Sequence, residues 1–175
     1  MAQCDAIGWA ACRNGTRKRL KLTVSDEALF APSNPSVRTT PIRLPGVAFR
    51  VIRPGELEWI TRPHDREEPP RHVAELSELA GFAHTRANVW RYEPGAKGRR
   101  HCHPFQEETF VVLSGTLSMY LGEPPERQDV PTGGLVHVEP GTPLQTANHG
   151  DEDLVVYAYG TPPESEHANI LDSAV

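Results

Sequence analysis

The sequence lacks several features that would point to particular classes of protein. No apolar stretch approaches the roughly 20 residues that a membrane-spanning helix needs, and the N-terminus lacks the basic-then-apolar order of a signal peptide. The three cysteines, Cys4, Cys12 and Cys102, are too few for a disulfide framework, which favours the reducing cytoplasm. The formal net charge of −5 argues against nucleic acid as the main partner. We therefore expect a cytoplasmic protein that binds neither membranes nor nucleic acid.

The composition favours turns over long helices. Seventeen prolines and fourteen glycines punctuate a chain of 175 residues, a length that suits one domain or one domain plus an extension. Residues 1–45 show no sustained period of 2 or 3.6 residues and combine a basic cluster with spaced prolines. We predict that they form an N-terminal extension, either weakly ordered or laid as one strand on the edge of the domain.

Short runs of β-branched and aromatic residues begin at Gly46 and are separated by turn signals. The predicted strands are 47–52, 57–60, 87–92, 109–113, 116–121, 135–138, 144–148 and 154–159. We expect Ser114-Gly115 to form a tight hairpin, and residues 61–71 and 122–127 to form polar loops. The only predicted helix covers residues 72–80 and stops at Gly81. This pattern predicts an all-β sandwich or closed barrel.

Two histidines and a glutamate form the strongest candidate site. His101 and His103 stand two residues apart, so they share one face of an extended strand. Glu108 begins the next strand, and an antiparallel return would place it beside the histidines. Two imidazoles and one carboxylate resemble the face that holds Fe(II), Mn(II), Ni(II) or Zn(II) with positions left open. The alternative is a pair of surface histidines.

The spacing around these residues resembles the first motif of the cupin superfamily along its whole length. That spacing is Gly95-x5-His101-x-His103-x4-Glu108-x6-Gly115. The resemblance covers about residues 47–160 and implies a jelly-roll barrel over residues 46–162, followed by a C-terminal tail over residues 163–175. It also implies a homodimer, because small single-domain cupins often pair through barrel edges.

A second stretch is similar to the second cupin motif but departs from it at two positions. Gly133, Gly141 and Asn148 fall on their places in that pattern. Glu139 stands where the pattern has proline, and Leu144 stands where it has the fourth metal ligand. The resemblance therefore implies a metal site that has lost one of its four side chains.

Three interpretations of Leu144 stay open, because leucine cannot coordinate a metal. His101, His103 and Glu108 could bind the metal alone, which a two-histidine-one-carboxylate face permits. Gln145 could bend in as a weak ligand, although strand alternation points it away from the Leu144 face. Alternatively, the metal has been lost and an apolar cavity remains. The metal itself is left open among Fe, Mn, Ni and Zn.

Alternation along the same strands predicts which residues line a cavity. The predicted cavity residues are Gln106, Phe110, Val112, Leu144, Thr146 and Asn148. Trp90 and Tyr92 would flank them, and Arg99 has the parity of the histidines and could meet an anionic substrate. Core packing is the alternative for each apolar residue, and a solvated charge is the alternative for Arg99.

Two classes of function follow from this site. The first is a metal-dependent enzyme of the dioxygenase or isomerase type, acting on a small organic substrate. The second is a non-catalytic module that binds or senses a sugar or metabolite with a degenerate or lost metal site. The sequence assigns no catalytic residue beyond the three candidate ligands.

Overall fold

The computed structural model describes residues 43–44, 47–62, 67–163 and 168–175. Its strands are β1 (Arg43–Leu44), β2 (Val47–Ala48), β3 (Ile60–Thr61), β4 (Arg71–Glu75), β5 (Arg86–Tyr92), β6 (His101–Cys102), β7 (Glu107–Ser114), β8 (Thr116–Leu121), β9 (Glu126–Pro131), β10 (Leu135–Val138), β11 (Leu144–Ala147), β12 (Leu154–Thr161) and β13 (Asn169–Ile170). Helix α1 spans Leu76–Ala80, and a 3-10 helix spans Pro54–Glu56. Apart from residues 43–44, the predicted extension of residues 1–45 lies outside the described residues, and so do Cys4 and Cys12. No helix in these ranges is long and apolar enough to cross a membrane.

Two antiparallel sheets carry the fold. One has the strand order β10-β7-β12-β5-β4-β3, and the other has the order β13-β6-β11-β8-β9. Strands β6, β7 and β8 follow one another in the chain but alternate between the two sheets. This alternation between packed sheets is the jelly-roll arrangement, so the predicted all-β jelly-roll barrel with one short helix is confirmed.

The main core lies between the two sheets. Val112 and Val156 enter it from the six-stranded sheet, and Leu117 and Met119 enter it from the five-stranded sheet. All four side chains are almost completely buried. Because strand residues alternate between faces, the intervening positions point away from this core. Burial of each such side chain stabilises the fold by about 1.5–3 kcal/mol.

A second apolar cluster covers the opposite face of the six-stranded sheet. Leu76 of α1 packs there with Ala74, Ala87 and Val155. The prediction of a helix over residues 72–80 is therefore half wrong, because residues 71–75 form β4 and pair with β5. Val73 and Ala74 are both buried on alternating faces, which a central strand accommodates. Gly81 ends the helix in a left-handed conformation, as predicted.

The turn at Ser114-Gly115 joins the two sheets and does not form the predicted hairpin. Strand β7 pairs with β10 and β12, whereas β8 pairs with β9 and β11. Gly115 has a φ of +79°, and a Cβ atom there would lie 3.0 Å from the Asp153 carbonyl oxygen. The backbone of the neighbouring strand therefore leaves no room for a side chain at this corner.

Replacing Gly115 by alanine is expected to destabilise the protein by about 2–3 kcal/mol, since positive φ and a close backbone contact act together. Gly133 is the matched control, because its φ is +83° but a Cβ atom would meet nothing within 4 Å. Gly133→Ala should cost about 1 kcal/mol from backbone strain alone. Urea unfolding of both variants measures the difference. Equal losses would show that the contact with Asp153 is relieved without cost.

Candidate metal centre

The two sheets bring the three candidate ligands together. His101 lies on β6 of the five-stranded sheet, His103 follows it, and Glu108 lies on β7 of the six-stranded sheet. One ligand atom from each residue lies within 4.8 Å of the others, so the group could hold a metal ion. The prediction that an antiparallel return places Glu108 beside the histidines was wrong, because β6 and β7 do not pair with each other. The ligands meet across the space between facing sheets.

The side-chain geometry directs both imidazoles toward the carboxylate. His101 Nε2 lies 3.6 Å from Glu108 Oε2, and His103 Nε2 lies 3.6 Å from Glu108 Oε1. His101 Nδ1 lies 2.9 Å from the carbonyl oxygen of Arg99. A proton on Nδ1 would be donated to that carbonyl and would leave Nε2 as the lone-pair atom facing the centre, which is a common arrangement for a metal-binding histidine.

Glu108 provides the test of whether a cation fits. Its Oε2 atom is buried and has no hydrogen-bond partner among the described residues. A buried carboxylate oxygen without a donor is costly, because the charge loses its hydration. A divalent cation bound by this oxygen and the two imidazole nitrogens would remove that cost. The donor set of two nitrogens and one oxygen also suits Fe, Mn, Ni and Zn.

A cavity of about 770 Å³ opens beside the three ligands. Four of the six predicted cavity residues line it, namely Gln106, Phe110, Leu144 and Thr146. Leu144 pairs directly with His101 across β11 and β6 and is buried. Leu144, at the position of the fourth ligand in the cupin pattern, therefore contributes an apolar side chain and no metal ligand. Gln106 is also buried, and its Nε2 donates to the Pro162 carbonyl oxygen at 2.9 Å.

Val112 and Asn148 do not line this cavity, although both were predicted to do so. Val112 lies deeper along β7 and packs in the core between the sheets. The Asn148 amide group donates to the carbonyl oxygens of Tyr92 at 3.0 Å and Glu152 at 2.8 Å. Strand alternation correctly predicts the face of Val112 but does not give its depth, and Asn148 uses its side chain to tie loops together.

Several lining residues were not predicted as part of the site. They are Arg62, Arg71, Arg86, Asn88, Ala158, Tyr159, Gly160, Ala168 and Ile170. Arg71 falls in a charged, proline-rich segment that the sequence predicts as a loop, so no local signal indicated its position. Ala168 and Ile170 belong to the predicted C-terminal tail, where β13 pairs with β6 and sets Ile170 opposite His101. Trp90, Tyr92 and Arg99, which were expected to flank the site or share its face, do line the cavity.

The pKa of the His101 imidazole is raised above its ordinary value of 6.5. Burial is the largest influence and lowers the pKa, but the Glu108 carboxylate and the Arg99 carbonyl oxygen together raise it by more. A raised pKa means that protonated His101 stabilises the metal-free fold. This contribution is complete below the unfolded value near 6.5 and is lost as pH rises through the folded value.

Metal-free protein is therefore expected to lose melting temperature relative to a His101→Gln variant as pH rises above the unfolded pKa near 6.5. Metal binding should have the opposite pH dependence, since a ligating imidazole must be neutral. Calorimetric melts in the presence of a chelator measure the first effect, and metal titrations measure the second. Parallel melting curves for the two proteins as pH rises above the unfolded pKa would contradict the assigned coupling between His101 and Glu108.

The fold and the site define a jelly-roll barrel with a two-histidine-one-carboxylate cluster at one end of a cavity. Residues 88–160 match the family model described as the cupin domain, Cupin_2. Residues 88–160 therefore resemble a cupin domain, and this range contains both of the sequence motifs. No protein of curated function matches the sequence significantly.

Solved structures share this fold. A predicted oxalate decarboxylase from Thermotoga maritima is 18% identical with a TM-score of 0.57, over 65% of this chain and 99% of that chain. A cupin-like protein from the same organism is 23% identical with a TM-score of 0.54, over 61% and 80% of the two chains. A cupin-superfamily sugar phosphate isomerase from Silicibacter pomeroyi is 26% identical with a TM-score of 0.49, over 52% of this chain. The match spans only 59% of that isomerase. The two Thermotoga maritima structures show the similarity of the barrel fold alone.

Proposed function

We propose that this protein is a metal-dependent enzyme of the dioxygenase or isomerase type that acts on a small organic substrate. His101, His103 and Glu108 would bind one divalent transition metal, Fe, Mn, Ni or Zn. The observation that carries the proposal is the Glu108 carboxylate, whose buried Oε2 atom has no hydrogen-bond partner in the described structure. Its Oε2 atom lies 3.6 Å from His101 Nε2, and its Oε1 atom lies 3.6 Å from His103 Nε2. The adjoining cavity is large enough for a small organic molecule.

The residues around the centre would perform separate tasks. The bound metal would supply Lewis-acid or redox chemistry at positions that the three side chains leave open. The Arg99 carbonyl oxygen orients His101 through Nδ1. Phe110 and Leu144 form an apolar wall that limits the water around a bound substrate. This arrangement favours chemistry on a substrate held beside the metal and away from bulk solvent.

Metal analysis of protein purified without added metal or chelator tests the proposal. We expect about one equivalent of a single transition metal per chain, either as purified or after titration. Less than about a tenth of an equivalent, with no uptake on titration, would contradict it. Such a result would leave the alternative of a cavity without metal.

The alternative function is a non-catalytic module that binds or senses a sugar or metabolite. Leu144 favours it, because a buried leucine at the fourth-ligand position lowers the number of donors to three. A thermal-shift screen with metals and metabolites would identify ligands that raise the melting temperature. Incubating such a ligand with metal-loaded protein separates the two functions. An enzyme converts it to a product seen by NMR, whereas a binding module returns it unchanged.

A homodimer and a cytoplasmic location complete the proposal. The homodimer is supported by the resemblance to small cupins, and the location by the low cysteine content. Light scattering on the purified chain should give twice the mass of one chain. A monomer across the micromolar range would contradict the dimer and leave the metal centre unaffected.

A further inference from the structure

Arg71 is a buried charge that lines the cavity beside the candidate metal centre. Only 8% of its surface is exposed. Its Nη1 atom donates to the Lys97 carbonyl oxygen at 2.6 Å, but no carboxylate lies within ion-pair distance of it in the described ranges. Arginine stays protonated in proteins, and buried charges are as a rule paired. The cavity therefore contains a guanidinium group that forms no ion pair with the described part of the chain.

The charges around Arg71 increase this imbalance. Among the described lining residues, four are arginines and one, Glu108, is acidic. Arg62 forms an ion pair with Glu75, which lies outside the cavity lining. Burial lowers the pKa of Arg71, and the positive charges of Arg99 and Arg62 lower it further, while Tyr92 and Glu68 raise it. A guanidinium group with other guanidinium groups nearby is stabilised by a bound anion.

The cavity lining also contains two hydroxyl groups that contact each other. The buried Tyr92 hydroxyl group lies 2.9 Å from Thr146 Oγ1, and both residues line the cavity. Burial raises the pKa of Tyr92, so its hydroxyl group stays neutral and can donate a hydrogen bond. Arg71 and His101 line the same cavity, and the positive charge of Arg71 lowers the pKa of His101. A ligand that reaches Arg71 would therefore occupy the same cavity that the three candidate ligands line.

We propose that the cavity binds its substrate through an anionic group, a carboxylate or a phosphate, held by Arg71 with Arg99 as a second cation. The remainder of the substrate would then face His101, His103 and Glu108. This inference adds a substrate class to the proposed function and rests on it for the role of the metal. The binding of the anion itself depends only on the arginines, so it can be measured without metal.

The test uses the full chain after removal of metal with a chelator. Calorimetric titrations with inorganic phosphate and with malonate, at an ionic strength fixed with chloride, compare the two anionic groups. We expect the wild type to bind at least one of them and Arg71→Met to weaken that binding at least about tenfold, as for a lost charged hydrogen bond. Arg71→Lys should retain part of the affinity, because a lysine keeps the charge but not the two-pronged geometry.

Arg99→Gln and Arg53→Gln complete the set of variants. Arg99 is exposed, so its replacement should leave the fold intact and weaken the same anion about threefold or more. Arg53 is exposed and does not line the cavity, so Arg53→Gln matches the charge change and should bind the anion like the wild type. If Arg71→Met does not fold, the anion affinities of Arg71→Lys and Arg99→Gln show whether these arginines bind the anion.

The outcomes separate this inference from the proposed function. Phosphate binding without malonate binding would identify a phosphate site, and the reverse would identify a carboxylate site. Failure of the wild type to bind either anion overturns the inference, as does unchanged affinity in folded Arg71 and Arg99 variants. Metal uptake measured on the same samples gives the second readout. Anion binding without metal uptake would contradict the proposed function and leave the anion site standing.

Discussion

Replacing His103 by alanine is expected to lower metal affinity by at least about a hundredfold while the barrel stays folded. Loss of a residue that only supports a ligand typically lowers affinity 10–100-fold, so loss of one of three ligands should cost at least as much. His103 Nε2 lies 3.6 Å from Glu108 Oε1, and no fourth protein ligand from the described residues joins the group. Zn(II) or Mn(II) titrations, with circular dichroism as the check on folding, measure the effect.

His137 provides the matched control for this substitution. It lies on β10, and its Nδ1 atom lies 3.0 Å from Thr109 Oγ1 outside the cavity. His137→Ala removes the same side chain and should leave metal affinity unchanged. Glu108→Gln should lower affinity as His103→Ala does, because an amide oxygen is a weaker ligand than a carboxylate. If His103→Ala binds metal like the wild type, the three residues do not form the site.

The local sequence pattern was sufficient to select the three candidate ligands but not to predict how their strands pair. The two-residue spacing of His101 and His103 indicates one shared face, and the structure brings both within 4.8 Å of Glu108. The sequence carries no direct record of which strands pair. Strands β7 and β8 therefore looked like a hairpin around Gly115, whereas the structure puts them in different sheets.

Two of the missed elements, β9 and β4, have side-chain patterns that do not identify a strand from local sequence. Strand β9, Glu126–Pro131, is largely exposed at the edge of its sheet, so its polar sequence resembles a loop. Residues 71–75 carry apolar positions that fit a helix or a strand equally well. Pairing with β5 selects the strand, and this long-range contact cannot be read from local sequence.

The charge in the cavity was the least predictable part of the site. Arg71 sits next to two prolines and a charged run, which is the composition of a solvated loop. Only the pairing of β4 with β5 reveals that Arg71 is buried and lines the same cavity as His101. Arg99, by contrast, shares the parity of the histidines, and strand alternation alone indicated that it could meet a substrate.

Leu144→His is expected to lower the stability of the metal-free protein and to raise its affinity for metal. Without metal the variant should be less stable by about 2–4 kcal/mol, because a buried leucine is lost and a polar ring is placed in the core. With Zn(II) it should bind at least about tenfold more tightly than the wild type, since zinc favours four ligands. Leu144 lies opposite His101 and lines the same cavity, which is why we choose this position.

Leu144→Asn separates the two effects. Like histidine, asparagine places a polar side chain at position 144, but its amide is a much weaker metal ligand. The Leu144→Asn variant should therefore be destabilised without metal and show no tenfold gain in zinc affinity. Thermal melts with chelator and with excess Zn(II), together with competition titrations, measure both quantities. If Leu144→His binds zinc no more tightly than the wild type, position 144 does not face the metal. The low number of donors in the natural protein would then not result from the leucine at this position.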